Sequence, residues 1–244
     1  MNYLVKNIAI LLLATVCQVI HPKIASSVAD DVTFWASQMA EHAEFASDFT
    51  HDQALKNEGL ALAAQFKKLK GIDNPDLNLI PTFLELSKEI KAYQARVRTY
   101  LKKHKNEYPN KALNLDLLDH MDLETDYAVK KAEGKKLSKN EEVAFWSKEH
   151  EGEAKVIAVL ANPGSEAQEV KKEAEQVKSL LGANHRFWNN SLEKAEKGNA
   201  ELNTLAKKID KNPSINKIPA KLAKHEERER QRAQETFKKL ELQK

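Results

Sequence analysis

Cysteine is nearly missing: Cys17 is the only one in 244 residues, which rules out an internal disulfide and any Cys-x-x-Cys redox or zinc pair. Glycine and proline are scarce too, at 7 each. No stretch alternates polar and apolar residues over the length of a strand, so strand-rich folds are not expected. A Gly-rich phosphate loop and a nucleophile elbow are both absent. Charge of one sign is also lacking. Lys and Glu are interspersed and the net charge is +3, without the one-sided basic stripe of a nucleic-acid binder, so no nucleic-acid partner is expected. No apolar run reaches the ~20 residues that a membrane helix needs. What remains, 41% apolar and 31% charged residues, suits helices with one buried and one solvated face.

The first thirty residues differ from the rest. Lys6 precedes an apolar run from Ile8 to Ile20, broken by Gln18, and the chain then reaches Ser27-Val28-Ala29. A positive start, a short apolar segment and small residues before a cleavage point describe a secretory signal peptide over residues 1–29. The mature protein is then periplasmic or secreted, retains no membrane span and loses Cys17. An uncleaved anchor is the alternative.

Prolines and glycines punctuate the remainder. Pro75, Pro81, Pro109, Pro163, Pro213 and Pro219 fall where periodic segments break, and Gly71, Gly134 and Gly182 follow such segments as C-terminal caps do. Between them the i, i+3, i+4, i+7 spacing of apolar residues predicts eight helices, near 30–49, 52–70, 79–105, 112–132, 138–160, 164–182, 185–210 and 216–241. The third carries the clearest stripe: Ile80, Phe83, Leu86, Ile90, Tyr93, Val97 and Leu101.

The chain also repeats itself. Phe34-Trp35 opens the first segment and Phe145-Trp146 the fifth. Glu58 of the second segment aligns with Glu173 of the sixth. In the fourth and eighth segments His120 aligns with His225, and Glu124 with Glu229. The pattern predicts an all-α protein of two tandem four-helix up-and-down bundles, ferritin-like in the broad sense, over residues 30–135 and 136–244.

Several polar residues fall on the stripes that should face inward. His120 and Glu124 lie within ~60° of the apolar face of their helix, and the i, i+4 spacing aims both at one spot. His225 and Glu229 repeat that phase. Glu58 is centred among Leu55, Ala61 and Leu62, and Glu173 among Val170, Val177 and Leu180. His42 lies between Trp35, Phe45 and Phe49, with Gln38 one turn back; the aligned residues are Glu153 and Glu149. Sliding Glu149-His150 onto Glu41-His42 keeps a histidine in register, but it sets Phe45 against Glu153 and is disfavoured. Buried carboxylates are paired or bind metals. A divalent ion in each bundle satisfies the sets: His42, Glu58, His120 and Glu124 in the first, Glu153, Glu173, His225 and Glu229 in the second, with Gln38 and Glu149 as supporting hydrogen-bond partners. Mixed nitrogen and oxygen donors suit iron, manganese or zinc.

Phe34-Trp35, Glu41-His42-Ala43, Glu58 and Leu118-Asp119-His120-Met121-Asp122-Leu123-Glu124 resemble the pattern of the domain-of-unknown-function 2935 family. The resemblance extends over most of residues 30–241 and implies two four-helix repeats with metal bound in the bundles. The second repeat departs from the pattern, with Gly152-Glu153-Ala154 and Ala223-Lys224-His225 in the matching places. Metal sequestration, or oxygen or peroxide chemistry, is the function expected, and the sequence names no reaction and no protein partner. A helical scaffold for an envelope or protein partner, with the inward His–Glu pairs as hydrogen-bond networks, is the alternative. The export reading predicts a mature chain beginning at or near Asp30. N-terminal sequencing of the exported protein checks it, and a mature form that still contains Lys6 means an anchor instead.

Overall fold

The computed structural model describes residues 28–70, 79–104, 107, 111–160, 165–186, 191–212 and 220–242. Nearly all of the expected signal segment, with Cys17, lies outside these residues, as do Trp188 and every proline but Pro81. The regular structure described is entirely helical. Helix α1 covers 28–48 and is followed by α2 (Gln53–Lys70), α3 (Leu79–Lys103), α4 (Lys111–Ala132), α5 (Lys139–Leu160), α6 (Ser165–Arg186), α7 (Leu192–Asp210) and α8 (Ala220–Glu241). No described helix is long and apolar enough to cross a membrane.

Local chemistry sets many of the helix ends. Asp52 caps α2 by accepting from the backbone N–H groups of Ala54 (2.9 Å) and Leu55 (3.0 Å). Ser138 and Glu141 form a reciprocal capping box at the start of α5: the Glu141 carboxylate accepts from the Ser138 N–H at 2.8 Å, and the Ser138 hydroxyl accepts from the Glu141 N–H at 3.3 Å. Helix α4 ends in a Schellman motif. The Lys135 N–H donates to Lys130 O and the Gly134 N–H to Lys131 O, each at 3.0 Å, which places Gly134 at a φ of 69° that L residues disfavour.

Gly182 behaves differently from the cap its sequence position suggests. It lies inside α6, which runs on to Arg186. A Cβ there would stand 2.8 Å from the Glu151 carboxylate, the flexible end of a side chain on α5. Beyond it, the Asn184 side chain donates to Ser147 Oγ at 2.7 Å and accepts from the Ser191 N–H at 2.8 Å. Ser191 in turn caps α7. The break between the sixth and seventh helices therefore falls later than the glycine.

By contacts the chain divides into two compact units, one of residues 1–97 and 125–135, the other of 98–124 and 136–244. The sequence reading assigns 98–124 to the first repeat; the contacts group them with the second unit. In the first unit the α3 stripe is buried as its periodicity requires, with Phe83, Ile90, Tyr93 and Val97 fully covered. Phe66 of α2 meets Phe83 edge-on at 6.1 Å. Trp35 of α1 meets Tyr127 of α4 at 5.5 Å. In the second unit α5 packs on α6, α7 and α8, and α7 packs on both α6 and α8. Its apolar core comes from Ala154 and Ile157 of α5, Val170, Ala174, Val177 and Leu181 of α6, and Leu202, Leu205 and Ile209 of α7. The two tandem Phe-Trp pairs adopt the same edge-on geometry, with ring centroids 5.0 Å apart for Phe34–Trp35 and 4.9 Å for Phe145–Trp146.

Gly59 marks a close helix contact in the first unit. A Cβ on it would collide with the Tyr93 hydroxyl and stand 2.9 Å from Ala43 O. Alanine gains about 1 kcal/mol of helix propensity over glycine, but overpacking of this kind costs about 1–3 kcal/mol. Gly59→Ala is therefore expected to lower the thermal midpoint by a few degrees, measured by circular dichroism.

Candidate metal centre

Three helices of the second unit bring ionisable side chains to one place. On α4, Leu117, Met121, Glu124 and Ala128 recur at i, i+4, i+7 and i+11, and all are buried. On α8 the same spacing runs through Leu222, Glu226, Glu229 and Ala233, again all buried. The apolar ends of that stripe, with Phe237 and Leu240, hold α8 down and carry its two glutamates inward. Helix α5 adds Glu149, His150 and Glu153, covered by the same packing.

The ligand atoms fall into two groups that share one residue. His120, Glu149, Glu226 and Glu229 each offer an atom within 4.8 Å of the others, and so do Glu124, His225 and Glu229. His120 Nε2 is 2.9 Å from Glu124 Oε1 and 3.7 Å from Glu149 Oε1, and His225 Nε2 is 3.2 Å from Glu229 Oε1. Both oxygens of Glu149 and both of Glu226 are buried without a hydrogen-bond partner among the described residues. Leaving such groups unmade costs more than a net hydrogen bond yields.

The electrostatics follow from this crowding. Burial, helped by the Glu229 charge, pushes the Glu226 carboxyl up to about 8. Glu149 is also raised, by burial first, with His120 opposing. Glu229 rises by burial and the neighbouring Glu124. Burial works against a charged His120, yet the carboxylates of Glu149 and Glu124 outweigh it and raise that imidazole. His150 is pressed the other way, down to about 3, by burial and by Arg230 and His120, so it is neutral; its ring lies 5.9 Å from that of Trp146. Without an ion, protons take the place of cations on these carboxylates.

The residues singled out from sequence have different surroundings. His120, Glu124, His225 and Glu229 come together in the second unit, and Glu149 joins them as a potential ligand where a supporting role is expected. His42 and Gln38 are fully buried on α1 of the first unit. Glu58 stands at the margin of α2, 38% exposed and paired with Arg96. Glu173 is 39% exposed and 2.9 Å from Lys208 Nζ. Both were expected on inward stripes, but each stands half-exposed beside a neighbouring cation. Glu153 is buried, and its partner is the Arg230 guanidinium, which also donates from Nε to Asn203 Oδ1 at 3.0 Å.

Glu226 is the residue that sequence reasoning overlooked. It sits in the charged run Lys224–Arg232, which reads as a solvated face. A signal was present all the same, because the offset that aligns His120 with His225 also aligns Glu226 with Met121, a core residue. A cavity of about 360 Å³ reaches Glu226, lined also by Glu153, Ile157, Asn203, Leu222 and Arg230. No protein-family model matches the chain, and no curated protein matches it.

Gly152 makes room for the histidine. A Cβ there would lie 2.7 Å from His120 Nδ1, so the Gly-Glu-Ala of the second repeat has a steric role at this site. Gly152→Ala is expected to destabilise the protein by about 1–3 kcal/mol. In a His120→Ala background the collision is gone, and the same change should be neutral or stabilising by up to ~1 kcal/mol. A double-mutant cycle by denaturant unfolding measures this coupling, and equal effects in both backgrounds refute the contact.

Proposed function

We propose that this chain is an exported metal-binding protein whose buried centre holds iron, manganese or zinc through His120, Glu149, Glu226 and Glu229. The observation that carries the reading is the pair of buried carboxylates, Glu149 and Glu226, lacking hydrogen-bond partners beside an imidazole and a third carboxylate. An isolated buried carboxylate costs several kcal/mol, and a divalent cation removes that cost while matching the donor types. Helical bundles commonly build such centres from side chains on facing helices. We take the architecture to be two tandem four-helix up-and-down repeats, ferritin-like in the broad sense. The resemblance of Phe34-Trp35, Glu41-His42-Ala43 and Leu118–Glu124 to the domain-of-unknown-function 2935 family supports that view, and the Lys6, Ile8–Ile20 and Ser27-Val28-Ala29 pattern supports export.

The chain's own groups do the holding. Glu149 and Glu226 supply charge, His120 a nitrogen donor kept in place by the space at Gly152, and Glu229 a carboxylate on the next turn of α8. A bound ion supplies Lewis acidity and, if it is iron or manganese, a redox couple. The nearby cavity leaves room for a small co-ligand beside Glu226.

Elemental analysis of protein purified without a histidine tag should find stoichiometric transition metal. At free metal 100-fold above the dissociation constant, binding adds about 2.7 kcal/mol, or roughly 5–10 °C in thermal midpoint for a chain of this size. A chelator should remove that increment. Glu149→Gln should abolish most of it, whereas Glu58→Gln, which only breaks the pair with Arg96, should leave the metal content unchanged. Equal metal loss in both variants would falsify the assignment.

A further inference from the structure

We infer that the centre holds two divalent ions side by side, bridged by the carboxylate of Glu229. The inference rests on the metal-binding reading above and adds the number of ions and the residue that joins them. Its first support is geometric. Two donors of one ion, each ~2.0–2.2 Å from it, stand at most about 4.4 Å apart. The donors here fall into two sets that each come near that condition, His120, Glu149, Glu226 and Glu229 on one side and Glu124, His225 and Glu229 on the other. Glu229 is common to both, and a carboxylate has two oxygens, one for each ion.

Charge gives the second support. Glu124, Glu149, Glu226 and Glu229 bring four negative charges into a region where all four side chains are buried. Arg230, a cation beside them, is already matched by Glu153, and His120 and His225 are neutral when they ligate an ion. One divalent ion leaves two charges uncompensated in the interior, while two divalent ions neutralise all four. The unpartnered oxygens of Glu149 and Glu226 then become ligands of the second ion, and the first is held by Glu124, His225 and Glu229.

Titration of the full, untagged chain with manganese(II) tests this. Two ions per chain are expected, with an electron paramagnetic resonance spectrum showing exchange coupling between them. Glu226→Gln should reduce the stoichiometry to one and leave the six-line signal of an isolated manganese ion; Glu149→Gln serves the same purpose should that variant fold poorly. Glu229→Gln should impair both positions. One uncoupled ion per chain overturns the proposal and leaves the metal-binding reading standing. Two ions without exchange coupling overturn the bridge. No bound manganese, zinc or iron overturns both readings.

Discussion

Four glutamate side chains, Glu124, Glu149, Glu226 and Glu229, are held out of water in the second unit, and much of the structure around them answers to the cost of that burial. Charge buried in a medium of low dielectric is tolerated when it is paired, protonated or bound to a cation. The helices that carry the glutamates are committed by their apolar residues. Leu222, Ala233, Phe237 and Leu240 fix the inward face of α8, and Leu117, Leu118 and Met121 fix that of α4. Once those faces are packed, the carboxylates between them have nowhere else to go.

The fate of each inward-leaning glutamate depends on its neighbours. Glu58, Glu173 and Glu153 each meet a basic side chain, Arg96, Lys208 and Arg230 in turn. The first two pairs lie at the surface, where screening makes them worth little. The third is buried, and the added hydrogen bond from Arg230 to Asn203 helps satisfy the guanidinium. The oxygens of Glu149 and Glu226 have no hydrogen-bond partner among the described residues, and His120 is the charged group they share. That contrast marks the limits of the centre, because the carboxylates that a metal would serve are those the protein itself leaves unsatisfied.

The internal repetition also looks different once the packing is known. The aligned Phe-Trp pairs share one geometry, and in each the tryptophan is the fully buried member. Elsewhere the positions that the sequence aligns differ in chemistry although both members are buried: Gln38 against Glu149, and Met121 against Glu226. Each of those changes places a carboxylate in the second unit where the first repeat has a neutral side chain. Gly152, in the place of Glu41, opens the space that His120 fills.

The sequence by itself determined the helices. Seven-residue spacings, caps such as Asp52 and Ser138, and the Gly134 terminator are local signals, and they act through hydrogen bonds and dihedral preferences within a few residues. The α3 stripe and the inward phase of His120, Glu124, His225 and Glu229 were legible for the same reason. Gly182 misled, because a glycine inside a helix looks the same in sequence as one that ends a helix in a left-handed turn. Which inward residues meet was decided by tertiary structure alone. A helical phase fixes the direction of a side chain only to within tens of degrees, and a neighbouring Arg or Lys at that margin took Glu58 and Glu173 to the surface. Which residues of α4, α5 and α8 stand a few ångströms apart depends on how far each helix slides along its neighbours. That register is set by the packing of whole faces, so the grouping of His120 with Glu149, Glu226 and Glu229 could be found only once the helices were assembled.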